Sequence, residues 1–190
     1  MRNPTYITYS GPALLDVFLV ELSGVLEAKL SWLTTAYGAA QVLKRDKDGR
    51  TVTYPAAPSN KGAEYIELFP DEHLGNFIWF DVQSYEIDDK GRPDKDFKAD
   101  GSLICWVDLR RVYPADWKER SVENVKSDVI AALKATGLTT GKIRLTRSYD
   151  RQADVYRGYT DAEIQNQYMM RPYCAFRLDL TMTFYPNRTC

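Results

Sequence analysis

The strongest constraint in the chain is a two-residue period near its C-terminal end. Cys174, Phe176, Leu178, Leu180, Met182 and Phe184 alternate with Tyr173, Ala175, Arg177, Asp179, Thr181 and Thr183. Successive side chains of a strand point to opposite faces, so the segment predicts one long strand with an apolar face on the core and a polar face away from it. A polar second face implies an antiparallel sheet covered on one side only.

The remaining elements are read around that strand. A helix is expected from about Gly11 to Leu33, capped by Ser10 with Pro12 in its first turn. Leu14, Leu15, Phe18, Leu22, Val25, Leu26 and Leu33 recur at three- and four-residue spacing. Val17, Leu19 and Val20 widen the stripe, so the helix lies deep or meets a neighbour. A hairpin follows, Ala40 to Arg45 and Thr51 to Tyr54, turning at Asp46-Lys47-Asp48-Gly49. Glu64 to Phe69 predicts a short strand, and Asn76 to Ile87 and Ser102 to Tyr113 predict two longer ones. Between the longer pair, Asp88 to Gly101 is a charged hairpin loop expected to be solvated. A second helix is predicted from Asp116 or Ser121 to Ala135, with Val122, Val125, Val129, Ala132 and Leu133 inward and Gly137 as its stop. Ile143 to Tyr149 alternates as a strand that extends towards Tyr156, and Thr160-Asp161-Ala162-Glu163 has the form of a capping box opening a short helix. The order implies an α+β fold: a mostly antiparallel sheet with two main helices packed on one face, in a single domain spanning 1–190.

Composition narrows the function classes. The 25 Lys and Arg balance 26 Asp and Glu. That argues against binding dominated by phosphate neutralisation, so no specific nucleic-acid partner is expected. The run Leu14–Leu33 is interrupted by Asp16, Glu21, Glu27 and Lys29, and no membrane partner is expected from it. The opening MRNPTYITYSGP has no apolar stretch followed by a cleavage site, so no secretory signal is expected. Cys105, Cys174 and Cys190 are odd in number and far apart, which favours free thiols in a reducing compartment. Asn187-Arg188-Thr189 is then a chance glycosylation match.

Residue spacing gives no catalytic constellation. The single histidine, His73, would need Cys105 beside it to form a nucleophilic pair; a loop histidine and a core cysteine are the simpler reading. One histidine and three scattered cysteines do not make a zinc site. A calcium loop from Asp94 fails at Lys98 and Ala99. Asp71 with Asp81-Val82-Gln83 resembles a nuclease arrangement, but Gln83 stands in the place of the lysine. Thr139-Thr140-Gly141-Lys142 lacks the spacing of a phosphate loop. No cofactor is expected, and the chain reads as a non-enzyme; an active site of non-motif carboxylates would need Asp81, Glu86 or Asp108 in a deep pocket. Arg144, Arg147, Arg151 and Arg157, interleaved with Tyr149, Tyr156 and Tyr159, form a basic stretch, yet Asp150, Asp154 and Asp161 are threaded through it. A solvated strand face or an ion-paired subunit contact fits better than single-strand binding.

In element order the chain resembles the tail terminator (tail-completion) proteins of tailed bacteriophages and prophages. The likeness is carried by the opening helix Leu14–Leu33, the strands Asn76–Ile87 and Ser102–Tyr113, the helix Ser121–Ala135 and the closing strand Tyr173–Tyr185. The insert Asp88–Gly101 and the short helix after Thr160 depart from it. The resemblance implies a ring of copies of this chain, a hexamer being the size to look for, that caps the tail tube and meets head-completion proteins. It implies a place in the virion after assembly in the bacterial cytoplasm. In that picture Arg144, Arg147 and Arg151, with Asp94, Lys95 and Asp96 of the charged loop, are the expected subunit contacts. The competing expectation is a monomeric protein-binding accessory module.

Overall fold

The structure, a computed structural model, describes residues 13–58, 65–88, 96–135 and 137–185. Helix α1 (Leu15–Lys29) is followed by β1 (Thr35–Ala39), β2 (Gln41–Lys47), β3 (Arg50–Pro58), β4 (Tyr65–Glu67), β5 (Phe77–Asp81), β6 (Glu86–Asp88) and β7 (Asp96–Asp108). The second half adds the one-turn α2 (Leu109–Val112), α3 (Val122–Lys134), β8 (Gly141–Tyr149), the one-turn α4 (Gln152–Val155), two 3-10 turns, and β9 (Tyr173–Phe184). The chain is α+β, and its sheets are mostly antiparallel.

A six-stranded sheet runs in the order β1-β5-β7-β9-β8, with β6 beside the first residues of β7. Among the described residues only β1 and β5 pair in parallel. The central pair, β7 and β9, is in register from Phe97 opposite Phe184 to Asp108 opposite Tyr173. Strand β9 therefore takes the alternation expected of it: Phe176, Leu178, Leu180, Met182 and Phe184 are buried on the face that α1 and α3 cover. Phe18, Leu22 and Leu26 of α1 and Val125, Val129 and Leu133 of α3 close that core. No residue of α1 from Leu15 to Glu27 is fully exposed, so the wide apolar stripe reflects a deeply laid helix. Its expected cap, Ser10 and Pro12, lies outside the described residues. Helix α3 is entered as expected at Ser121, whose N–H donates to Asn124 Oδ1 at 2.9 Å.

The sheet is not covered on one side only. A second core lies on the opposite face, built from Phe77, Trp79, Ile104, Trp106 and Ala175 of the sheet. Against them pack Leu68, Phe69, Val155, Tyr156 and Ile164. The three-stranded sheet β2-β3-β4 belongs to this second cover. Its hairpin turns at Asp48 and Gly49, both with positive φ (51° and 73°), the geometry of a two-residue primed turn. The cover reaches only part of the sheet. From Asp179 towards Thr183 the outward residues of β9 are half-exposed, while Tyr173, Ala175 and Arg177 are buried.

Several expected boundaries shift. The run Asn76–Ile87 breaks into β5 and β6. Strand β7 begins at Asp96 and ends at Asp108, so the charged loop 88–101 shortens to a hairpin whose tip, 89–95, lies outside the described residues. Asp108 ends the strand by accepting from Arg110 N–H at 3.0 Å, which caps α2 in place of a strand running to Tyr113. Residues 152–155 turn helically where a bent strand was expected. The capping box at Thr160 does not form: Thr160 Oγ1 accepts from Thr53 N–H at 2.9 Å instead, tying the 3-10 turn Asp161–Glu163 to β3.

Candidate interaction surface

The open part of the outer face is organised in rows, because directly opposed residues of paired strands point the same way. Asp81, Ser102, Asp179 and Arg147 are successive partners across β5, β7, β9 and β8. Beside them run Asp100, Thr181 and Arg144, then Glu86, Lys98, Thr183 and Lys142. Thr181 Oγ1 donates to Asp100 Oδ1 at 3.0 Å within its row. Arg144 and Arg147 are three residues apart, a spacing that ordinarily puts side chains on opposite faces of a strand. The register shifts between Leu145 and Arg147, and this bulge brings both arginines to the outer face. Thr146 at the bulge donates its hydroxyl to the Asp179 carbonyl at 3.1 Å.

At the boundary between covered and open regions lies a buried charge cluster. Arg177, 6% exposed, donates from Nη1 to Asp81 Oδ2 at 3.1 Å and from Nε to Asp179 Oδ1 at 3.0 Å. Ser102 Oγ donates to Asp179 Oδ1 at 2.7 Å, and Arg157 approaches Asp179 at 3.6 Å. Burial alone would raise the Asp179 carboxyl; the Ser102 and Arg177 hydrogen bonds and the two arginine charges outweigh it and hold the carboxyl below the usual range. Arg157 also lies over the Tyr149 ring, 5.6 Å from its centroid.

The structure brings Arg144 and Arg147 together on the exposed edge strand β8. It does not bring Arg151 to them. That residue stands past the end of β8, where its carbonyl accepts from the amides of Asp154 and Val155 at the start of α4. Asp96 opens β7 opposite Asp88, on the same face as Lys98 and Asp100. Asp94 and Lys95 lie outside the described residues.

The residues weighed for chemistry are placed apart. His73 is exposed in a turn, its N–H donating to Asp71 Oδ1 at 2.8 Å, whereas Cys105 is fully buried in the helix-side core. Cys174 lines a cleft of about 320 Å³ with Leu109, Val122, Met169 and Tyr173, and burial pushes its thiol up to about 12, far from a thiolate at neutral pH. Asp81 is engaged by Arg177. Asp108 is engaged by Arg110, which donates from Nε at 2.9 Å and from Nη2 at 2.8 Å. Glu86 is exposed on β6. The segment Thr139-Thr140 does offer two amide donors at one point, and α1 fills it: Glu21 accepts from Thr139 N–H at 2.7 Å, Thr140 N–H at 2.9 Å and both hydroxyls. Among the described residues no group of three or more His, Cys, Asp or Glu side chains is placed to hold a metal ion, and no helix is long and apolar enough to cross a membrane.

Sequence reasoning passed over the Asp81–Arg177 pair, the Glu21 clamp, and the exposed apolar pair Tyr85 and Ile87. The pair had one visible signal, a basic residue inside an apolar strand run. The chain matches no protein-family model and no curated protein.

Proposed function

We propose that the protein is a structural subunit of a phage or prophage tail. It acts as a tail terminator does, assembling into a ring that caps the tail tube and joins it to the head. The element order that carries the resemblance supports this reading. The observation that bears on it most directly is β8: nine residues of edge strand, exposed along much of their length and bearing Lys142, Arg144 and Arg147. An open edge of that length is a template for another chain, and its charges select which chain pairs with it. The densely hydrogen-bonded acids and the fully buried Cys105 suit a structural subunit better than a reacting pocket.

Light scattering over a wide concentration range tests the proposal. A mass near six chains, or a rise towards it with concentration, is the expected result, and ring-shaped particles should then be visible by electron microscopy. A strict monomer at every concentration moves the reading to the monomeric protein-binding accessory module.

A further inference from the structure

The two outer edges of the open half of the sheet carry the same two-sided pattern with opposite charge. On β6, Ile87 is opposite Phe97, and Phe97 is opposite Phe184, so Ile87 faces the helix side. Tyr85 just before it stacks edge-on against Phe97 and Phe184, at 5.5 Å from each ring. Both stay open to solvent: Tyr85 is 41% exposed and Ile87 55%. Glu86, between them, is opposite Lys98 on the outer face. At the far edge, Ile143 and Leu145 of β8 are opposite Met182 and Leu180 on the helix side and only half-buried. Lys142, Arg144 and Arg147 point to the outer face. Strand β6 contains two acids and no base; β8 contains three bases and no acid.

We propose that β8 of one copy adds to β6 of a second copy, continuing the sheet from chain to chain. In that arrangement Ile143 and Leu145 extend the apolar surface of Tyr85 and Ile87 on the helix side, while Arg144 and its neighbours meet Glu86 on the outer side. Pairing of β8 with β8 is disfavoured by the same residues, since it sets Lys142, Arg144 and Arg147 against their own copies. Pairing of unlike edges is heterologous: every added copy presents a fresh edge of each kind, so the contact propagates and closes where the rotation allows. Among the described residues, no strand pairs with the free side of β6 or of β8; β1, next to β5, meets only Phe77 to Phe80. The inference rests on the ring-forming reading above and adds the surface that makes the ring.

A charge swap tests it. Arg144→Glu and Glu86→Arg are both surface changes, and each alone places like charges across the contact. Each variant should keep the wild-type circular-dichroism spectrum and lose assembly in light scattering, with roughly tenfold weaker association per contact. The thermal transition should fall towards that of dissociated wild type, slightly further for Glu86→Arg, which meets Lys98 in its own chain. An equimolar mixture of the two should assemble again, because alternating copies then meet opposite charges at every contact. Ile87→Lys, which acts on the apolar side, should weaken assembly to a similar degree. If wild type assembles and the variants assemble equally well, or if the mixture stays dissociated, edge pairing is wrong while the ring reading stands. If wild type remains monomeric throughout, both fall together.

Discussion

Arg177 belongs by position to the polar residues of β9, yet it lies between Asp81 and Asp179 with its side chain almost wholly out of water. Removing Arg177 takes the paired guanidinium away from buried Asp81 and leaves Asp179 with Ser102 and the more distant Arg157. Arg177→Met is therefore expected to destabilise the fold by about 3–5 kcal/mol, read as a lower urea midpoint with an unchanged slope. The alternation of β9 told correctly that Arg177 leaves the helix-side core. It did not tell what lies over the other face, since that depends on Trp79 and Tyr156, distant in the sequence. Glu21 was equally hidden. On α1 it reads as an acid interrupting an apolar helix, and only the placement of Thr139 and Thr140 makes it a clamp.

At the scale of elements, local patterns located strands and helices well and their ends poorly. The β9 period, the Asp48-Gly49 turn and the Ser121 entry to α3 all follow from neighbouring residues. The end of β7 at Asp108 and the break between β5 and β6 do not, because a side-chain cap and a change of neighbour set them. The continuous apolar runs Phe77–Phe80 and Leu103–Val107 are the signal of burial on both faces, and they outrank the half-polar alternation of β9. Strand β8 starts at Gly141 for a packing reason. A Cβ there would lie 2.7 Å from the Phe18 ring and press on the Thr183 carbonyl. Gly141→Ala should cost about 1–3 kcal/mol in chemical denaturation, with Phe18→Leu in the same chain recovering part of the loss.

For the whole molecule, acid is the informative perturbation. Burial works to raise both Glu21 and Asp179, but hydrogen bonds from Thr140 and Thr139 in the first case, and from Ser102 and Arg177 in the second, leave both lowered when folded. A lowered carboxyl contributes stability that is present above its ordinary pKa and is lost as pH falls through the folded value. Stability should thus be flat near neutrality and decline below about pH 4. Glu21→Gln, which keeps the shape and removes the charge, should lower neutral-pH stability by about 1–3 kcal/mol and make the acid decline shallower. An unchanged acid profile in that variant would remove Glu21 from the account.

The half-covered sheet also has a mechanical meaning. Strands β7 and β9 run from a region clamped by aromatic side chains above and by helices below into a region held from the helix side alone. Each is in effect a beam fixed at one end. A pull delivered to the free end, along the strand, loads the inter-strand hydrogen bonds of the whole β7–β9 register in shear and passes into the doubly packed end, where the Arg177 cluster pins it. A push across the free end bends it about the line where the cover stops. A chain built this way is stiff to tension and compliant to flexure, and its compliant end is the one that carries both open edges.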